Sequence, residues 1–338
     1  MKLSIRQQAL AIVLLYAMIF FIAFLISHTL LYVFVFSLIS ILVVNFIYKN
    51  LLKIKVPHAL SVALSLVIYF GVLIYAFVNI IPLVANQVGS FYEFMKKILD
   101  SKYWEHYLVD NPELSKIIGN IADWASPKIA ELFNNTLLEF AKKLPNIGVI
   151  MFYSILFTVY VTIYSKWTTR SLPGLFPKRV RPLIEDFLSK LGISLQSYVD
   201  ILLLGAIIVA VSFYLLFSVY LPEYMVFLSF WGFITNLIPI VGVVIEWIPI
   251  LIVTLGLGLK NFIIVNIIVM LVHLGAFLFF IFIMKHRADI NPVLMLIFIF
   301  IVGLAYGLVG TFFAVPVAIF FVTLWNEFIK SELDEIKS

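Results

Sequence analysis

The chain has 338 residues, 64% of them hydrophobic and 12% charged, with a formal net charge of +5 and no cysteine; its mean hydropathy is +1.13. Soluble domains run near ~45–50% apolar and ~25% charged, so an ordinary soluble protein is excluded and the bilayer is the relevant solvent. The absence of cysteine removes disulfides, thiol redox chemistry, iron–sulfur clusters and cysteine-based zinc sites, and the basic residues cluster between apolar runs instead of forming the continuous stripe that nucleic acid requires.

Residues 1–82 read as three N-terminal spans. Lys2 and Arg6 precede an apolar run with no small-x-small cleavage site before Ser27 and His28, so it is expected to be retained and not removed as a signal peptide. Runs 9–26 and 30–48, separated by Ser27, His28 and Thr29, predict a tight helical hairpin, and a third span is expected over 58–82.

Residues 83–146 are the long polar region, with seven lysines, eight acids and no arginine. That balance predicts an extracytoplasmic segment. Val84, Val88, Phe91, Tyr92, Met95, Ile98 and Leu99 recur at helical spacing, as do Leu114, Ile117, Ile118, Ile121, Trp124 and Ala125 after Asn111-Pro112, so amphipathic helices without an independent core are expected. A fourth span follows over 147–165.

Residues 166–198 carry Lys166, Arg170, Lys178, Arg179, Arg181 and Lys190 against Glu185 and Asp186. The positive-inside rule places this loop, and with it both termini, in the cytoplasm. Leu183, Phe187, Leu188 and Leu191 predict a short amphipathic helix there.

A transport core is expected over 199–326, followed by a cytoplasmic tail, 327–338. It opens with a span over 200–220 and holds two long apolar segments, 225–259 and 292–325, around the intact span 262–284. The first is interrupted by Asn236, Pro239, Gly242, Glu246 and Pro249, the second by Gly303, Gly307, Gly310 and Pro316. Thirty-five helical residues would measure about 50 Å against a hydrocarbon core of about 30 Å. Each segment must therefore break, tilt or turn back; re-entrant hairpins put Lys285 and Arg287 in the cytoplasm, whereas single crossings put them outside. The fold class that follows is all-α and polytopic, with about eight hydrophobic segments, two of them broken or re-entrant.

Irregular backbone at bilayer depth is tolerated only where protein or a water-filled cavity surrounds it, and transporter sites are commonly built that way. Asn236 to Pro249 is thus the first candidate for a solute or ion pathway, the alternative being a kinked helix whose proline and glycine serve packing. An acid in the bilayer centre costs at least ~2.5 kcal/mol, so Glu246 is expected to face a cavity or a partner, unless it lies at the interface on a hairpin tip. Asp200 and Asp289 start apolar segments and can be helix caps; Asp200 follows Gln196, Ser197 and Tyr198, a polar run that keeps a functional role open. The glycines at 303, 307 and 310 suit close helix contact, and the stretch from Gly303 to Pro316 is expected to form the second part of the solute pathway. His273, the one histidine within a span, either lines a cavity or pairs with a backbone group, the latter being the expectation. Metalloprotease, serine-hydrolase and nucleotide-binding signatures are absent, no cofactor or metal site is implied, and an enzyme is not expected.

The block Leu-Ile-Pro239-Ile-Val-Gly242 with Ile248-Pro249, the closing pattern Asn291-Pro292-Val, Gly303-x-x-x-Gly307-x-x-Gly310 and Ala314-Val315-Pro316 together resemble the autoinducer-2 exporter family. The motifs cover about half of the chain and the rest agrees in span order. The resemblance implies a secondary transporter in the cell membrane whose cargo differs among members: autoinducer-2 export, Na⁺/H⁺ antiport, or an unknown substrate. This chain departs from the family in having Tyr198-Val-Asp200-Ile in place of a Y-x-x-G-Q entry, in lacking a glutamine-and-proline element near Lys285, and in placing Glu246 where the family is small or apolar. The added acids suit a cation-coupled variant. The expected function is a small-solute permease or exporter, with a cation antiporter as the alternative and a membrane scaffold or receptor displaying residues 83–146 as the reading from another class. Expected partners are the bilayer, a small molecule or ion, and further copies of the chain, since aromatic-rich helix faces (33 phenylalanines) serve helix contacts as well as lipid.

Overall fold

The computed structural model describes residues 4–109, 112–164, 171–238, 241–287, 292–330 and 332–333, and these form helices and turns without a β-strand. Ser4 starts α1 (Ile5–Ile26) with a capping box, its hydroxyl accepting from the Gln7 amide while the Gln7 side chain accepts from the Ser4 N–H. Ser27 alone separates α1 from α2 (His28–Lys53) and caps the second helix through Leu30 N–H. Phe24 packs on Phe34 of α2 with ring centres 5.3 Å apart.

Helix α3 (His58–Tyr75) does not stop near Pro82 as expected. It passes through one π turn, Ala76–Ile80, into α4 (Ile81–Asp100), so Pro82 follows the π turn within a continuous helix and withholds one N–H from the ladder there. The break at Asn111-Pro112 falls where α5 (Pro112–Ile163) begins, but α5 then runs on through residue 147, the expected start of the fourth span. Similarly α6 (Arg181–Tyr220) joins the expected amphipathic helix to the fifth span, because Pro182 occupies its first turn and nothing after it breaks the ladder. The remaining helices are α7 (Met225–Asn236), α8 (Val241–Leu255), α9 (Leu259–Arg287) and α10 (Pro292–Leu324), the last continued by a π turn, Trp325–Lys330.

Six stretches are long and apolar enough to cross a bilayer: Ile5–Ile26, Thr29–Lys53, His58–Asp100, Arg181–Tyr220, Leu259–Phe282 and Phe313–Lys330; Gly148–Ile163, Gly242–Leu255 and Val293–Gly307 are shorter apolar helices. Their outward faces are apolar, with Phe21, Val67 and Leu271 all more than half exposed. In water such surface would drive aggregation, whereas lipid solvates it. The chain is an all-α polytopic membrane protein.

The chain divides into two compact units: residues 1–72, 145–201 and 283–338 form one, 73–144 and 202–282 the other. In the first, Ala9 and Val13 of α1, Val180, Ile184 and Phe187 around the start of α6, and Leu324 and Phe328 form a small buried cluster. Polar ties rim it: Ser4 and Gln7 both donate to Glu332, and Lys190 bridges Asp186 and Glu327, each at 2.8 Å. Helix α10 doubles back in this unit. Gly307 leaves helical geometry with φ 63° and ψ −146°, and Phe298 stacks on Phe321 at 5.6 Å, whereas 23 residues of straight helix would separate them by about 35 Å.

In the second unit the polar segment contributes directly to the core. Val84, Phe91, Met95, Ile98 and Leu99 of α4, with Trp104 and Leu108, are buried against Phe213 and Phe217 of α6, Phe227 and Leu228 of α7, Ile250 and Val253 of α8, and Val265 and Val269 of α9. The expected helical spacing over 84–99 is therefore a packing face. Helices α7 and α8, 12 and 15 residues long, lie side by side; at 1.5 Å per residue each measures only about 18–23 Å, less than a hydrocarbon core.

Candidate functional site

The chain turns at Leu237 and Ile238 between α7 and α8, and Pro239 and Ile240 lie outside the described residues. Its closeness has a local cause. Gly242 follows the turn against the last full turn of α7, where a Cβ would lie 1.8 Å from the Thr235 carbonyl oxygen. No other residue permits that approach. Pro249 lies inside α8 and withholds one helical N–H, so the carbonyl four residues before it has no ladder donor.

The tight turn places Glu246, six residues into α8, beside the C-terminal end of α7. Its side chain is completely buried and both carboxyl oxygens are held. Oε2 is 2.7 Å from the Thr235 hydroxyl and 3.2 Å from the Asn236 amide nitrogen; Oε1 is 2.7 Å from His273 Nε2 on α9. No part of this side chain is open to solvent. Nor does His273 pair with a backbone group; it is 9% exposed, bound to a carboxylate, with its ring face or edge met at 88° by Phe213 of α6. A carboxylate removed from water is costly unless its lone pairs are satisfied, and three side chains from two other helices supply that satisfaction.

A second polar chain fixes α8 to α9 nearby. Trp247 donates to Asn266 Oδ1 at 3.2 Å, and Asn266 donates to the Thr254 hydroxyl at 2.9 Å. One turn before Thr235, on the same helix face, Trp231 has a buried indole N–H with no acceptor among the described residues. A buried donor without an acceptor is disfavoured by roughly 1–3 kcal/mol, and an oxygen of a bound solute would relieve it.

Asp200 belongs to the other unit. It is no helix cap: α6 begins at Arg181, so Asp200 lies in mid-helix, where it accepts from the buried Gln196 side chain, which also bonds Leu42 O at 3.0 Å and accepts from Asn45 at 2.7 Å. The three polar groups tie α2 to α6. Asp289 and Asn291 lie outside the described residues. Gly303, Gly307, Gly310 and Pro316 are on α10, in the same unit as Asp200. A Cβ on Gly310 would stand 2.2 Å from Val302 O, while one on Gly303 would make ordinary contact with Thr311 at 3.5 Å. These residues shape a turn, and Tyr306 packs into it beside Gly310.

Of the sequence candidates, then, the structure brings Asn236, Gly242 and Glu246 together. Thr235, His273 and Trp231 were missed. His273 had a legible signal, an ionisable residue within an apolar span, but the pairing across 27 positions had none. Among the described residues no group of three or more metal-ligating side chains occurs.

Residues 10–330 match the family model described as AI-2E family transporter. The chain is also similar to a Thermotoga maritima protein named "Putative transport protein", with 31% identity over 326 residues that cover 96% of each chain.

Proposed function

The chain belongs to the AI-2E transporter family, and from that membership we propose that it is a secondary permease exporting a small, oxygen-rich solute of the autoinducer-2 kind through the break of the α7–α8 hairpin. The observation that carries the reading is the fully buried Glu246, held by Thr235, Asn236 and His273 where the backbone is irregular. Intramembrane acids mark solute and ion paths more often than they serve structure, and half-length helices meeting at a break are how transporters expose backbone and side-chain polar groups to cargo. Both α7–α8 and α10 are re-entrant on this reading, which keeps Lys285, Arg287 and both termini on the cytoplasmic side. The transporter is a homo-oligomer whose apolar helix faces meet other copies as well as lipid.

The test is efflux of autoinducer-2 from preloaded proteoliposomes. Wild type should empty them at least about tenfold faster than protein-free liposomes, and Asn236→Ala and Trp231→Phe should each slow it by about tenfold, the loss of one buried hydrogen bond of ~1.4 kcal/mol. Efflux at the protein-free rate rejects this cargo. The buried acid itself favours a second reading, cation/proton antiport. Internal-pH dye measurements under imposed Na⁺ and K⁺ gradients decide it: a cation-driven pH change that Glu246→Gln abolishes establishes antiport.

A further inference from the structure

Thr235 has one hydroxyl proton and three oxygens around it: Trp231 O at 2.7 Å, Gly232 O at 3.3 Å and Glu246 Oε2 at 2.7 Å. When Glu246 is ionised, the hydroxyl donates to Oε2, the Asn236 amide donates there too, and His273 Nε2–H donates to Oε1, so three donors hold one carboxylate. When Oε2 carries a proton it becomes the donor to Thr235 Oγ1, which turns its own proton to the Trp231 carbonyl. His273 keeps its bond to Oε1. The same heavy-atom positions thus satisfy both states, which differ by one H⁺ and one unit of charge.

No neighbouring element supplies a compensating charge among the described residues. Helix α7 brings Thr235 and Asn236, α6 brings Phe213, and α9 brings His273 itself, its Lys260 being exposed. Helix α4, packed on α7 and α8, leaves Glu93, Lys96, Lys97 and Asp100 exposed while burying Phe91, Met95, Ile98 and Leu99. The ionised carboxylate is therefore held by three hydrogen-bond donors, and His273 is the one group in the cluster that can carry an opposite charge.

We propose that Glu246 and His273 form one proton-carrying site, with Thr235 as the hydroxyl that reverses its hydrogen bond on loading, and that this proton is the coupling ion of transport. The proton comes from water to Oε2 and returns to water on release; no other bond forms or breaks. The inference rests on the permease reading and deepens it: solute and proton compete for the same oxygen, the relation that exchange across a membrane requires.

The experiment uses the full chain in liposomes and reads two signals. In pH-difference infrared spectra, wild type shows a carboxylic-acid C=O band that titrates; Glu246→Gln abolishes it, Thr235→Val shifts its frequency because the acid loses its acceptor, and His273→Gln shifts its midpoint, each variant eluting as wild type on size exclusion. A merely structural role would leave the band absent or indifferent to Thr235. In parallel, autoinducer-2 efflux from wild-type vesicles is expected to rise at least about tenfold under an imposed pH gradient, and Glu246→Gln to lose that dependence. A band that survives Glu246→Gln, a band unmoved by Thr235→Val, no titrating band in wild type, or efflux indifferent to the gradient overturns the proton site and leaves the permease standing. Wild-type efflux no faster than from protein-free liposomes overturns the cargo assignment instead, with the infrared titration still deciding the site.

Discussion

The two hairpins solve one problem with different residues. In α7–α8 the turn is enforced by Gly242 against the Thr235 carbonyl, and the space beside it is filled by Thr235, Asn236, Glu246 and His273. In α10 the turn is made by Gly307 with a positive φ, and the arms meet through Phe298 and Phe321. Reversing a membrane helix thus requires small residues and no chemistry. The polar cluster of the first hairpin is an addition, and its buried acid carries a desolvation cost that the turn itself does not demand.

Substitutions can break that comparison. The largest expected effect is Glu246→Ala, which leaves His273, Thr235 and Asn236 without a common partner and should lower stability by ~3–5 kcal/mol in denaturant unfolding of micellar protein; a loss below 1 kcal/mol would mean that the cluster does not hold the hairpin. Gly242→Ala should follow at ~3 kcal/mol, because the clash is with backbone and neither arm can yield without opening the turn. In the second hairpin Gly307→Ala should cost ~1–3 kcal/mol from backbone strain alone, with open space around the added methyl. Gly303→Ala is the smallest, within ~1 kcal/mol of wild type and of either sign, since the methyl meets Thr311 at ordinary contact distance and helix propensity favours alanine. If Gly303→Ala proved as damaging as Gly307→Ala, the α10 arms would have to pack more tightly than they do here.

Particular elements show how far one-dimensional reading reaches. The spans at 9–26 and 262–284, the break at Asn111-Pro112 and the interruption at 236–242 are local events, written in runs of apolar residues and in proline and glycine. The boundaries at Pro82 and Asp200 misled because a proline within a continuous helix and an acid in mid-helix look the same in sequence as a helix end. Amphipathic spacing over 84–99 was legible, but its partner was not; the pattern says only that one face is buried, and the hairpin that covers it comes more than a hundred residues later.

What the sequence determined by itself was the solvent, the number and kind of apolar segments, the family resemblance and the presence of an acid too costly to leave unpaired in lipid. Those follow from summed transfer energies and from backbone rules that act within a few residues. Only the tertiary structure decided that Glu246 meets His273, that Thr235 stands between an acid and a carbonyl, and that Asp200 belongs to a different cluster with Asn45 and Gln196. Side-chain pairing across helices depends on their rotation and crossing, which are set by the packing of every neighbour at once, and no local pattern along the chain encodes that sum.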